Sequence, residues 1–167
     1  LCFRVLLSVP FEFWLRAYQF WFGVNLVSAV PNINVLTKHC GNPDIAGNKF
    51  APGARLLAEF KQLETVSIKL SGGISNAGAD QQTDEFLFPY MRCVIDTFGF
   101  KRVVWGSDWP VCNMGMGMPN WLATCDRFLS VYSENEAGDI ARNNARRIYG
   151  SAKMTESLSR LPHPTPS

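Results

Sequence analysis

A chain of 167 residues, 47% of them hydrophobic and 18% charged, has the length and composition of one globular domain with a sizeable core. Its 16 Lys and Arg against 14 Asp and Glu leave a net charge of +2 with no long run of either sign, which argues against nucleic acid or an anionic membrane as partner. The 5 cysteines, Cys2, Cys40, Cys93, Cys112 and Cys125, contain no CxxC pair, which argues against a disulfide framework or a structural zinc site and points to a reducing, cytoplasmic compartment.

The chain opens inside an apolar run, Leu1 to Val9, without a methionine, and reads as a processed product or a fragment. Its early charge, Arg4, lies within that run rather than ahead of it, unlike a secretory signal. This run is the first expected strand, ending near Ser8. Residues 11–27 are strongly apolar, but Glu12, Arg16, Gln19 and Asn25 interrupt them, and the stretch falls short of the about 20 residues that a membrane span needs. Glu12, Arg16, Gln19 and Gly23 follow one another at helical spacing, which predicts a helix over 11–27 with one narrow polar stripe.

After Pro31, residues 33–37 read as a second strand running into Lys38-His39-Cys40-Gly41-Asn42-Pro43. Leu56, Leu57 and Phe60 predict a helix over 53–63. A third strand is expected over 66–70, stopped by Ser71-Gly72-Gly73, and a polar loop leads to a helix over 84–98 closed by Gly99. A fourth strand over 102–106 leads to a loop whose Met114, Met116 and Met118 serve as lid or packing residues, then to helices over 121–132 and 134–149. The domain is expected to span 1–152, followed by a disordered, proline-rich tail over 153–167 in which His163 is solvated.

Strand and helix alternate four times, and such alternation implies parallel strands whose C-terminal ends share one edge of the sheet. Ser8, His39, Lys69 with Ser71, and Asp108 fall at those ends. Groups able to move protons or bind a metal therefore converge on one face, as at the catalytic face of a (β/α) barrel or the cleft of a doubly wound sheet. No GxGxxG or Walker-type loop follows any strand, which favours the barrel. The expected fold is α/β, a partial (β/α)8 TIM barrel of about four strand–helix units. A thiol nucleophile, Cys40 or Cys112 partnered by His39, is a weaker alternative on the same face.

Specific motifs extend this reading. VLTKHCGNPDI (35–45), VSIKLSGG (66–73), FGFKRVVWGSDWPV (98–111) and IARNNARRIYG (140–150) resemble, in order and spacing, the C-terminal half of the amidohydrolase-related family (amidohydrolase family 2). These are TIM-barrel hydrolases that include sugar-lactone and dicarboxylate lactonases. The resemblance implies a hydrolase that opens a lactone with activated water, acting on a small molecule, a lactone or a carboxylated ring. Asp108 would activate the water, alone or while holding one divalent metal (Zn or Mn), and the metal need not be used. His39 would bind that metal or polarise the carbonyl, and Lys69 and Trp109 would line the substrate pocket.

The family's His-x-His pair is absent, since the chain has 2 histidines, His39 and His163. Thr37-Lys38 stands where the family has Leu-Asp, and Asn42 where a basic residue is common. The alternatives are a metal-dependent decarboxylase of the same superfamily and a catalytically inactive fragment or interaction module. Exposed barrel edges would make a homodimer, with neither nucleic acid nor membrane as partner.

Overall fold

Short strands separated by helices build the molecule. The computed structural model describes residues 10–30 and 32–150. It contains β1 (Phe11–Phe13), β2 (Val35–Thr37), β3 (Val66–Leu70) and β4 (Val103–Trp105). All pair in parallel, in the order β1-β2-β3-β4. Helix α1 (Phe20–Ala29) follows β1, α2 (Phe50–Ala58) follows β2 and α3 (Asp84–Phe98) follows β3. After β4 come α4 (Gly117–Leu129), α5 (Glu134–Gly138) and α6 (Asn144–Tyr149), the last two joined by a π-helical segment, Asp139–Asn143. Spatial order equals chain order, so every crossover steps the same way round the sheet. A doubly wound sheet would reverse at a switch point. The path is that of a (β/α)8 barrel, and four units make it a partial one.

The ladder register sorts side chains onto two faces, because partners in a parallel pair project to the same side. Val35, Val66, Ile68, Leu70, Val103 and Trp105 face the helices and join one apolar cluster with Met91, Val94, Ile95 and Phe98 of α3. Burying each such side chain contributes about 1.5–3 kcal/mol. The opposite, inward face carries Glu12, Leu36, Ser67, Lys69 and Val104. Leu36 and Val104 are buried there yet stand outside the helix-side cluster, as barrel-interior residues do.

The helix expected over 11–27 is three elements: strand β1, a 3-10 turn at Ala17–Gln19, and α1 beginning only at Phe20. The polar spacing that suggested one helix also fits a Phe-Glu-Phe strand. Phe11 and Phe13 pack on the helix-side core while Glu12 points to the interior. The other helices and strands lie where expected, with shifted ends. The helix expected over 53–63 starts at Phe50 and tightens into a 3-10 turn, Glu59–Gln62, and that expected over 121–132 starts at Gly117 with Pro119 in its first turn, where a missing N–H costs nothing. The strand expected near Ser8 and the tail over 153–167 with His163 lie outside the described residues. Among the described residues no helix is long and apolar enough to cross a membrane.

Candidate active site

Asp108 ends the segment that begins as β4. Gly106 passes close to Ser71, where a β-carbon would lie 3.2 Å from the Ser71 Cβ. The Gly106 carbonyl accepts a hydrogen bond from Trp121 Nε1 at 2.9 Å, which fixes the strand end against α4. Asp108 then takes φ of 58°, and its carbonyl accepts from the Cys112 N–H at 3.0 Å to close a turn across a cis Trp109–Pro110 bond. Left-handed backbone is uncommon outside glycine. The turn aims the carboxylate back over the sheet.

His39 is placed by the same device. His39, Cys40, Gly41 and Asn42 have φ of 54°, 53°, 75° and 55°, a left-handed turn directly after β2. Non-glycine residues held there cost of the order of 1–3 kcal/mol each, and such conformations cluster at functional sites. Gly72 makes room, since a β-carbon at that position would lie 2.7 Å from the His39 Cβ.

The two side chains meet. Asp108 Oδ1 lies 3.3 Å from His39 Nδ1, with the Asp108 side chain 8% and the His39 side chain 24% exposed. Ser75 Oγ donates to Asp108 Oδ2 at 2.7 Å, and Ser71 Oγ shares a 3.2 Å hydrogen bond with His39 Nδ1. Burial lowers the His39 pKa, and the Asp108 charge, acting upward, does not offset it against Lys38 and Lys69. The imidazole sits below its ordinary 6.5 and is neutral at neutral pH. Ser75 belongs to this site and was not read from the sequence. It sits in a polar loop, and nothing local marks it as the partner of a carboxylate 33 residues away.

Lys69 is engaged elsewhere. Its Nζ lies 3.1 Å from both Glu12 oxygens and 5.6 Å from the centroid of the Tyr149 ring. Lys38 Nζ approaches Glu12 Oε2 at 3.2 Å, and the Tyr149 hydroxyl donates to Glu12 Oε1. Glu12, expected on a helix stripe, is the hub of an interior network. Trp109 stands beside Asp108 on the rim, 68% exposed, its N–H donating to Ser107 Oγ at 3.2 Å.

The thiols do not join the chemistry. Cys40 is buried with Sγ donating to the Ser71 carbonyl at 3.3 Å, and burial pushes its pKa up to about 12, so it holds almost no thiolate at neutral pH. Cys112 is also buried. Met116 and Met118 pack on the core and Met114 is exposed.

His39 and Asp108 are two side chains of a kind able to ligate a metal, and among the described residues no group of three or more His, Cys, Asp or Glu is gathered to hold one. A zinc site takes about four ligands, at least three of them from protein. These residues do not complete a metal site by themselves.

A family model described as Amidohydrolase matches residues 6–151. The chain is 34% identical over 106 residues to an L-fucono-1,5-lactonase of Burkholderia ambifaria, covering 59% of this chain and 36% of that protein. It is 28% identical over 154 residues to an L-rhamnono-gamma-lactonase of Scheffersomyces stipitis, covering 79% and 43%. Among solved structures, an amidohydrolase of Burkholderia multivorans superposes with a TM-score of 0.83 at 20% identity, covering 89% of this chain and 55% of that one. That protein has also been solved with zinc bound. The chain spans less than half the length of these two curated relatives and about half that of the solved one.

Proposed function

We propose, from the premise that this chain belongs to the amidohydrolase family, that it carries the His39–Asp108 half of an active site that opens a lactone with water. The observation that supports this reading is Asp108: a strand-end carboxylate, largely buried, oriented by Ser75 at 2.7 Å and set 3.3 Å from a neutral histidine. The curated relatives are sugar lactonases by name, which favours a small polyhydroxylated cyclic ester as substrate.

In this reading Asp108 removes a proton from water as the water oxygen bonds to the lactone carbonyl carbon. The carbonyl electron pair moves onto its oxygen, where the His39 ring offers a hydrogen bond. Ser71 matters at this point. Nδ1 faces both Ser71 Oγ and Asp108 Oδ1. Once Asp108 has taken the proton from water and no longer favours hydrogen on Nδ1, donation from Ser71 to Nδ1 leaves the ring hydrogen on Nε2 for the oxyanion. Collapse of the tetrahedral adduct breaks the ring C–O bond, and the proton held by Asp108 passes to the departing alkoxide, giving a hydroxy acid. Trp109 walls the rim beside Asp108, and Lys69 lines the barrel interior through its pair with Glu12. No step is routed through a metal, because the described residues alone do not form a site for one.

Asp108→Asn tests the assignment in the enzyme assayed as a complete barrel. An amide cannot take up the proton, so kcat should fall by about 10²- to 10⁴-fold while the thermal unfolding midpoint stays near wild type. A variant with near wild-type turnover would remove Asp108 from the chemistry.

A further inference from the structure

A groove of about 530 Å³ opens on the same rim as His39 and Asp108, between the segments that follow β1, β2 and β3. Its volume lies within the range of about 300–1,000 Å³ seen for small-molecule sites. Trp14 and Arg16 come from the turn after β1, Asn42 from the left-handed turn that carries His39, and Asn76 from the residue after Ser75. The groove walls are thus continuous along the chain with the groups that hold the site.

Its polar groups are incompletely used. Arg16 Cζ lies 5.5 Å from the Trp14 ring centroid, and among the described residues its guanidinium makes no ion pair. Lys49, by contrast, is neutralised by Asp44 at 3.0 Å. Asn76 Nδ2 donates to Asn42 Oδ1 at 3.1 Å. That bond leaves one amide NH2, on Asn42, and one amide oxygen, on Asn76, without a protein partner among the described residues. Exchanging O and N in both amides leaves the same complement. A donor and an acceptor side by side suit neighbouring hydroxyl groups, and the N–H donors of a guanidinium suit the oxygens of further ones. Trp14, 48% exposed, offers an apolar ring against which the C–H edges of a sugar chain can lie.

We infer that this groove binds the polyhydroxylated chain of a six-carbon sugar acid whose carboxyl end lies at His39 and Asp108, with Arg16, Asn42 and Asn76 on its hydroxyls and Trp14 under the carbon chain. The inference rests on the lactonase reading for its ligand class, since lactone hydrolysis yields such an acid, and it assigns the discrimination among lactones to residues away from the proton-moving pair.

Isothermal titration calorimetry on the complete enzyme carrying Asp108→Asn tests it, with galactonate, gluconate and mannonate as probes and hexanoate and galactitol as controls. At least one aldonate should bind, both controls should bind more weakly, and Arg16→Ala or Trp14→Ala should each weaken the aldonate by about ten-fold or more. Circular dichroism checks that both variants fold, as exposed turn residues should. Failure of all three aldonates to bind, or affinity indifferent to both substitutions, overturns the groove assignment. An enzyme that binds aldonates in this way yet hydrolyses no lactone keeps the groove and removes the lactonase reading. One that hydrolyses sugar lactones equally well with either groove variant does the reverse.

Discussion

Gly72 illustrates how far single positions determine this site. Its φ of +69° is one that side chains other than glycine rarely adopt, and an added methyl would collide with both Cβ and Nδ1 of His39, at 2.7 and 2.8 Å. Gly72→Ala should therefore cost about 1–3 kcal/mol of stability and, by displacing the imidazole, reduce turnover in the fraction that remains folded. Urea denaturation and steady-state kinetics on one preparation measure both, and a variant unchanged in stability would show that the loop yields. At this scale the sequence is most legible where a strand ends. Asp108 and His39 could be placed from a hydrophobic run meeting a turn, because parallel strands must deliver those ends to one edge. Ser71 and Ser75 contribute hydroxyls whose use depends on distances across the sheet, 32 and 33 residues away in the chain. The left-handed turn at His39–Asn42 has a glycine at one position in four and leaves correspondingly little trace in composition.

Among the elements, β1 was the hardest to read. Phe11–Phe13 is too short for alternation to stand out from helical spacing, and the partners that identify its direction, Lys38, Lys69 and Tyr149, are distant in the chain. Longer elements with a full apolar stripe, such as α3, were legible almost to the residue. The π-helical segment Asp139–Asn143 was not, because its purpose appears only in three dimensions. It precedes Asn144, whose Nδ2 donates to the carbonyls of Phe100 and Val103 at 2.6 and 2.8 Å and fastens the last helix to β4. The interior network makes a pH prediction. Burial acts to raise the Glu12 pKa, but hydrogen bonds from Tyr149 and Lys69, the Lys69 charge and a bond from Lys38 outweigh it and hold the carboxyl below its ordinary 4.5. A carboxylate with a depressed folded pKa adds stability above its unfolded value and loses it as the pH falls through the folded one. The difference in unfolding free energy between wild type and Glu12→Gln should therefore be largest near pH 7 and shrink on acidification below about pH 4.5. Urea titrations from neutral pH downward read it directly, and a difference independent of pH would mean that the Glu12 charge contributes nothing.

For the molecule as a whole, the sheet runs from β1 to β4, and the outer edge of β4 has no strand partner among the described residues. A closed barrel has no edges, whereas an open one presents backbone groups ready to pair with another chain. Trp21 and Phe22 of α1 add exposed aromatic surface. Expressed alone, the 167-residue chain should elute as a dimer or larger species in size-exclusion chromatography with light scattering, and a compact monomer would show that the edge is protected. The sheet order has a further bearing on how the molecule is made. Because neighbours in space are neighbours in sequence, each ladder joins consecutive strands, and the units can assemble in turn as synthesis proceeds. The hydrogen bond from Tyr149 to Glu12 breaks that rule by spanning 137 residues. It cannot form until Tyr149 has left the ribosome, so the Glu12 carboxylate, already within reach of Lys38 and Lys69, gains its hydroxyl donor only after all four described strands have been made.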